Sequence, residues 1–174
     1  MKRILLITMV CLLLSGCGIY NLDNFVTPND TEFIAVVESL DTPEKIAKYM
    51  LYNFTYEIHN FYAPDPCTLW QTKKGDCNDM STFGTWVANY HGYTTYQMKI
   101  FFKGSQFTHY VAIYDEGNSK YSITNDQFFD FWFYNFEDIV DYSSDLVCSE
   151  WTSYKVFDYD NNMIEKGYNN KGGK

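Results

Sequence analysis

A cysteine, a histidine and a polar pair occur in an order that could form a nucleophilic site. Cys77 follows Gly75-Asp76 at the start of a segment with helical periodicity. His109 lies in a segment of alternating apolar residues, and Asn125 and Asp126 follow it sixteen and seventeen residues later. A thiolate is a strong nucleophile, a histidine can take its proton, and an amide or carboxylate can orient the ring. The helix start also favours the negative charge of a thiolate.

Each of these residues also has a purely structural interpretation. A lone cysteine on a helix face is most often a small core residue, and a strand histidine is most often structural. The other two histidines are weaker candidates for the base that takes the Cys77 proton. His91 ends the same helix, about 20 Å from Cys77, and His59 lies in a loop. It is the combination in one order that favours catalysis.

The elements that must position these residues begin with helices. Residues 31–40 and 43–53 carry apolar residues at helical spacing, and the capping residues Asp30 and Asp41 to Glu44 precede or open them. A third helix starts at Cys77 and stops at Gly92. Residues 55–76 hold two prolines and little periodicity, which predicts a long loop.

Strands follow the third helix. Apolar residues alternate over 96–102, 107–113 and 121–125, and His109 is expected on the face where the Cys77 helix packs. A weak helix is predicted over 136–142 and a last hairpin turns at 160–162. The class is therefore α+β, with a helix packed on an antiparallel sheet of three or more strands. The aromatic stretch 128–134 is either a buried segment against the sheet or a ligand platform.

The register of the central hairpin decides which polar residue faces His109. Pairing the apolar faces sets residue 113 opposite 121 and His109 opposite Asn125, around a three-residue loop at 116–118. A two-residue loop would set Asp126 opposite His109 instead, but it would turn polar residues onto the apolar face. This pattern favours Asn125 as the orienting residue and leaves Asp126 as the alternative.

These segments resemble the transglutaminase-like superfamily of cysteine proteases and acyl transferases. The resemblance rests on Gly75-Asp76-Cys77 opening a helix, on Thr108 to Val111 starting a strand and on the segment 121–126, and it covers roughly residues 43–130. It implies a papain/transglutaminase-like fold, with Cys77 as nucleophile and His109 as its base. The family usually has aspartate where Asn125 stands, although asparagine serves in papain-like enzymes.

The resemblance also implies a reaction. A peptide or glutaminyl amide bond would be attacked through an acyl-thioester intermediate, with hydrolysis expected over transfer. The oxyanion that forms needs a donor, for which the Cys77 backbone N–H and the side chains of Gln71 and Trp70 are the candidates. No motif for a metal or another cofactor occurs, so none is expected.

The first thirty residues predict export and a lipid anchor. Lys2 and Arg3 precede an apolar run too short to span a bilayer, which is typical of a signal peptide. The run ends in Leu14-Ser15-Gly16-Cys17, which resembles a bacterial lipobox with Cys17 as the lipidated residue. The predicted organisation is a signal peptide (1–16), a tether (17–30), one domain (31–166) and a flexible tail (167–174), anchored in the cell envelope.

The composition of the chain limits the classes of partner that are expected. A net charge of −9 disfavours nucleic acid, and 20% aromatic residues are typical of a folded chain. Of the cysteines expected to remain unmodified, Cys67 and Cys148 could pair and leave Cys77 free. We expect a monomer that touches the membrane only through its lipid. The alternative function is a non-catalytic lipoprotein that binds peptides or glycans.

Overall fold

The helices begin at the capping residues that the sequence provides. The computed structural model describes residues 30–59 and 65–170. Within them Asp30, Thr42 and Asp76 cap three helices by accepting backbone N–H groups, and Pro43 opens the second helix. The five helices are α1 (Thr31–Ser39), α2 (Pro43–Asn53), α3 (Pro66–Thr72), α4 (Cys77–Tyr90) and α5 (Phe136–Leu146).

A six-stranded antiparallel sheet forms the centre of the domain, in the order β6-β5-β4-β3-β7-β8. Its strands are β3 (Thr95–Phe102), β4 (Thr108–Gly117), β5 (Lys120–Asn125), β6 (Phe128–Phe133), β7 (Trp151–Asp158) and β8 (Met163–Tyr168). The short strands β1 (Thr55–Tyr56) and β2 (Lys74–Gly75) pair in parallel outside it. The expected α+β class, with a helix packed on an antiparallel sheet, is confirmed.

Two apolar cores cover the two faces of the sheet. α4 packs with α1, α2 and α3 against the face of β4 that carries Ala112 and Tyr114. α5 covers the opposite face, which carries Val111 and Ile113. The expectation that the face of His109, Val111 and Ile113 packs against α4 is therefore wrong. Alternation separates two faces of a strand, but it does not say which helix covers each.

The central hairpin differs from its predicted register by two residues. The turn is Asn118-Ser119, with φ values of 55° and 56°, and a bulge separates Asp115 from Gly117. Beyond the bulge, Ile113 pairs with Ile123 and Val111 with Asn125. The predicted pairing of His109 with Asn125 is wrong, but a shift of two residues keeps every side chain on its face.

Two other segments differ from the sequence predictions. Residues 55–76 are not one irregular loop, because β1, α3 and β2 form there. The stretch 128–134 contains the edge strand β6, which exposes Phe131 (50%) and Trp132 (58%), so it is not a fully buried segment.

The last strand includes residues assigned to the tail from the sequence. Gly167 pairs with Tyr154 in β8, and a Cβ at this glycine would lie 2.2 Å from the Tyr154 ring. Glycine there allows the ring to lie against the strand, whereas the sequence suggested a loose end. Residues 1–29, with the predicted signal peptide and Cys17, lie outside the described residues. None of the described helices is long and apolar enough to cross a membrane.

Candidate active site

The thiol of Cys77 lies in the first turn of α4. Asp76 caps the helix, and the Asp79 side chain accepts the Asp76 backbone N–H at 2.7 Å, which completes a capping box. A Cβ on Gly75 would lie 2.5 Å from Asp79 Oδ2, so glycine permits this close approach. Cys77 itself is 8% exposed. Its position is thus set by the helix start and by the turn before it.

A cleft of about 260 Å³ opens beside Cys77. One wall comes from β1 and the residues after it, including Tyr56, Ile58 and His59, and the other from the segment leading into β4, including Phe107 and Tyr110. The wall residues Tyr56, Ile58 and Phe107 are exposed apolar or aromatic side chains. Asp76, Asn78 and Gln106 add polar side chains to the same lining, so a peptide could reach the thiol along a groove of mixed polarity.

His109 and the polar pair meet Cys77 at the ends of β4 and β5. The Cys77 Sγ, a ring nitrogen of His109 and a carboxylate oxygen of Asp126 all lie within 4.8 Å of one another. His109 Nε2 lies 2.6 Å from Asn125 Oδ1. Since an amide oxygen only accepts, this hydrogen bond assigns the ring proton to Nε2 and leaves Nδ1 free to act as a base.

Asn125 reaches His109 diagonally across the hairpin. Its direct partner is Val111, two residues along the same face from His109. Asp126 follows with φ of 54°, a left-handed conformation that ends β5. This turn brings its carboxylate towards the sulfur, where Oδ1 is buried without a hydrogen-bond partner among the described residues. Both alternatives for the third residue therefore lie beside His109, and Asn125 makes the hydrogen bond.

The environment of Cys77 disfavours the free thiolate. Burial raises the pKa of the thiol to about 11, and the carboxylates of Asp126 and Asp76 add to the effect. Hydrogen bonds from the Tyr110 backbone and the Tyr56 hydroxyl oppose the increase. The thiol also lies 3.9 Å from the Thr108 carbonyl oxygen, to which it can donate. The helix start alone does not produce a thiolate here, because burial outweighs it.

The structure also contains an interacting pair, His59 and Asp79, that the sequence predictions do not include. His59 Nε2 lies 2.5 Å from Asp79 Oδ2, and the Asp79 side chain is fully buried. Burial acts to lower the pKa of His59, but the hydrogen bond and charge of Asp79 outweigh it and raise the pKa. No local pattern links two residues twenty positions apart in a loop and a helix. Asp79 therefore links the start of α4 to the segment that carries His59.

Asp76, Asp79 and His59 are also close enough to hold a metal ion. Calcium takes six to eight oxygen ligands, whereas this group offers two carboxylates and an imidazole. One Asp79 oxygen already accepts hydrogen bonds from the Asp76 backbone and from His59. These three side chains do not by themselves form a calcium shell.

The side chains predicted as oxyanion donors lie elsewhere. Gln71 directs its amide nitrogen towards Cys67 Sγ at 3.8 Å, and the Trp70 ring packs against Phe33 in the α1–α4 core. Neither lines the cleft beside Cys77. The three described cysteines are free, so the suggested bridge between Cys67 and Cys148 is not formed.

Comparisons with solved structures agree with this architecture. No protein-family model and no curated protein sequence matches the chain. Three structures of Legionella pneumophila LapG match it at 13–14% identity. One has a TM-score of 0.52 over 71% of this chain and 72% of its own. The calcium-bound form has 0.54 over 83% and 80%, and the EGTA-treated form 0.52 over 82% of each. The chain therefore has a transglutaminase-like α+β fold.

Proposed function

We propose that this protein is a thiol peptidase that cleaves amide bonds through an acyl-thioester intermediate. The single observation that carries the proposal is the convergence of Cys77, His109 and Asp126 within 4.8 Å of one another, where Cys77 also lines an open cleft. The Asn125 hydrogen bond that orients the imidazole supports it. LapG, a transglutaminase-like cysteine protease, shares the fold.

In the first half of the reaction His109 acts as a base. Its Nδ1 takes the Cys77 proton as the sulfur bonds to the substrate carbonyl carbon, and the carbonyl electron pair moves onto oxygen. Because the thiol is protonated in the free protein, proton transfer accompanies attack. Asp126 lies where its negative charge stabilises the imidazolium that forms. When the intermediate collapses, the C–N bond breaks and His109 returns the proton to the leaving amine.

In the second half a water molecule replaces the amine. His109 takes a proton from water, the oxygen bonds to the acyl carbon and the C–S bond breaks, which returns the proton to sulfur. An amine in place of water would give transfer instead. We place hydrolysis first, because the cleft beside the sulfur is open to solvent along its exposed walls.

The test of this function is the nucleophile itself. Cys77→Ser is nearly isosteric, so the fold should persist while hydrolysis of a fluorogenic peptide pool disappears. Cys67→Ser and Cys148→Ser are controls that should keep activity because neither thiol lines the cleft, and Cys148→Ser, at an exposed and unbridged thiol, should also keep stability. Mass spectrometry should find an acyl adduct on Cys77 when hydrolysis is quenched. Undiminished activity in Cys77→Ser would refute the mechanism.

A second candidate function, ligand binding without catalysis, is favoured by the edge strand β6. Phe131 and Trp132 are about half exposed, their ring centres lie 5.4 Å apart in a tilted arrangement, and Lys120 Nζ lies 4.6 Å from the centre of the Trp132 ring. They line a second cleft of about 380 Å³ with Glu116. Aromatic faces beside polar groups suit a peptide or glycan. Quenching of tryptophan fluorescence by such ligands, lost in Trp132→Ala but kept in Cys77→Ser, would support this function.

We also propose that the protein is exported and anchored in the cell envelope through lipid on Cys17. The support comes from the sequence: a basic start, a short apolar run and the lipobox-like Leu14 to Cys17. Anchoring there gives the enzyme access to extracytoplasmic peptides or proteins. A monomer with one lipid contact suffices for this role, and its net charge of −9 disfavours nucleic acid as a partner.

A further inference from the structure

Tyr56 is held beside the nucleophile by a backbone pairing. Tyr56 pairs with Gly75 in the parallel bridge between β1 and β2, and the Glu57 N–H donates to the Gly75 carbonyl at 2.9 Å. A second bond, from Thr55 N–H to the Lys73 carbonyl at 2.8 Å, fixes the preceding residue. Gly75 is two residues before Cys77, so this bridge ties the Tyr56 backbone to the turn that begins α4.

The side chain of Tyr56 points into the cleft rather than into a core. It is 44% exposed, belongs to neither apolar core and lines the same cleft as Cys77. Its hydroxyl lies near enough to the Cys77 sulfur to act on it as a donor, which opposes the increase in the pKa of the thiol. Burial raises the pKa of the phenol, and the negative charge of a Cys77 thiolate adds to the increase. The phenol therefore stays protonated and remains a donor throughout the range in which the enzyme would work.

The proposed reaction needs such a donor. When sulfur attacks a carbonyl, the new oxyanion lies on the carbon bonded to Cys77 Sγ and needs hydrogen bonds from fixed donors. Gln71 is directed towards Cys67 Sγ and Trp70 packs against the α1–α4 core, which leaves the Cys77 backbone N–H and no assigned side chain. The Tyr56 side chain lines the same cleft as the sulfur to which the reacting carbon will bond.

We propose that the Tyr56 hydroxyl is the side-chain donor of the oxyanion hole. It holds the Cys77 sulfur in the free protein and transfers its hydrogen bond to the carbonyl oxygen when the C–S bond forms. No proton leaves the phenol, because the proton of the thiol goes to His109 Nδ1. This inference rests on the proposed thiol-peptidase function and adds a catalytic residue to it.

The experiment compares two reactions of the same sulfur in Tyr56→Phe, which removes only the hydroxyl. Hydrolysis of the fluorogenic peptide pool forms an oxyanion, whereas alkylation by iodoacetamide does not. We expect kcat to fall roughly 100-fold with KM changed less than about threefold, as for loss of one oxyanion donor. The alkylation rate of Cys77, followed by intact mass at fixed pH, should fall only a few-fold.

Controls separate this role from a structural one. Tyr52→Phe removes the hydroxyl of an exposed tyrosine on α2 and should leave both rates unchanged. The melting temperature of Tyr56→Phe should equal that of the wild type, since the ring and the bridge remain. Full hydrolytic activity in Tyr56→Phe overturns the inference. An equal fall in the rates of hydrolysis and alkylation also overturns it, because it would show that the hydroxyl affects only the reactivity of the sulfur. If either result occurs while Cys77→Ser is inactive, the role of Tyr56 is refuted but the proposed peptidase function is not.

Discussion

In the proposed mechanism, two requirements on Cys77 oppose each other. The thiol is buried where the substrate would react, which disfavours its ionisation, but it must lose its proton to attack. Its burial and the carboxylates of Asp76 and Asp126 keep it protonated, while hydrogen bonds from Tyr110 and Tyr56 favour the thiolate. A buried, protonated thiol of this kind reacts slowly with oxidants and alkylating agents. His109 must therefore act during attack rather than before it.

The reactivity of Cys77 should depend on pH in the direction that burial sets. With its pKa raised to about 11, its alkylation by iodoacetamide should be slow at pH 7 and increase with pH through about 11. The exposed Cys148 should react faster at neutral pH. Peptide mapping after timed alkylation measures both sites in one molecule.

A variant isolates the contribution of charge to this pKa. Asp126→Asn removes a carboxylate whose repulsion raises the Cys77 pKa, so the alkylation profile should move to lower pH. Asp160→Asn, in the exposed β7–β8 hairpin, is the control and should leave the profile in place. An unmoved profile in Asp126→Asn would show that burial alone sets the reactivity.

Asn125 should act on catalysis through the orientation of His109. Asn125→Ala removes the acceptor of the 2.6 Å hydrogen bond from Nε2 and should lower kcat roughly 100-fold, at the lower end of what a positioned base contributes. Asn125→Asp restores an acceptor and should recover most of the activity. Steady-state rates on the peptide pool measure both. Equal losses in the two variants would indicate a fold defect rather than a positioning role.

At the scale of elements, the approach of α4 to the sheet positions the nucleophile. Gly84 faces Tyr114 and Thr124, whose hydroxyls share a hydrogen bond of 2.6 Å. A Cβ at Gly84 would lie 2.5 Å from the Tyr114 hydroxyl oxygen and 3.1 Å from Thr124 Oγ1. A glycine in this helix therefore serves close packing, although glycine weakens an isolated helix by about 1 kcal/mol relative to alanine.

Gly84→Ala should destabilise the domain despite its better helix propensity. Overpacking costs roughly 1–3 kcal/mol, against about 1 kcal/mol gained in the helix. Asn89→Ala, on the same helix, is the control and should leave stability unchanged or increase it. Urea unfolding measures the free energy of each variant. Tyr114→Phe in the Gly84→Ala background should recover part of the loss, and a Gly84→Ala protein as stable as the wild type would contradict this packing.

At the scale of the whole molecule, the proposed signal peptide and lipid anchor would place the site in the cell envelope. Cys17→Ala should block lipidation and lipoprotein-type processing, so the precursor should accumulate without its lipid. Metabolic labelling with a fatty acid and fractionation of membranes measure the two steps. Ser15→Ala, a small-residue exchange inside the lipobox-like segment, is the control. Normal processing and membrane attachment in Cys17→Ala would refute the anchor.

The sequence by itself determined the α+β class, the start of α4 at Cys77 and the face shared by His109 and Asn125. These follow from local signals, namely capping residues, glycine stops and a side-chain period of two. Because a shift of two residues preserves faces, Asn125 still reaches His109 although its direct partner is Val111.

Only the tertiary structure decided which groups surround the sulfur. Three features of the site depend on residues from separate segments of the chain. They are the bridge between Tyr56 and Gly75, the contact of His59 with Asp79, and the burial of Cys77. The sequence predicted a reactive thiolate from the helix start, whereas burial and two nearby carboxylates raise its pKa instead. A local pattern carries no information about desolvation, which depends on every segment that packs around the site.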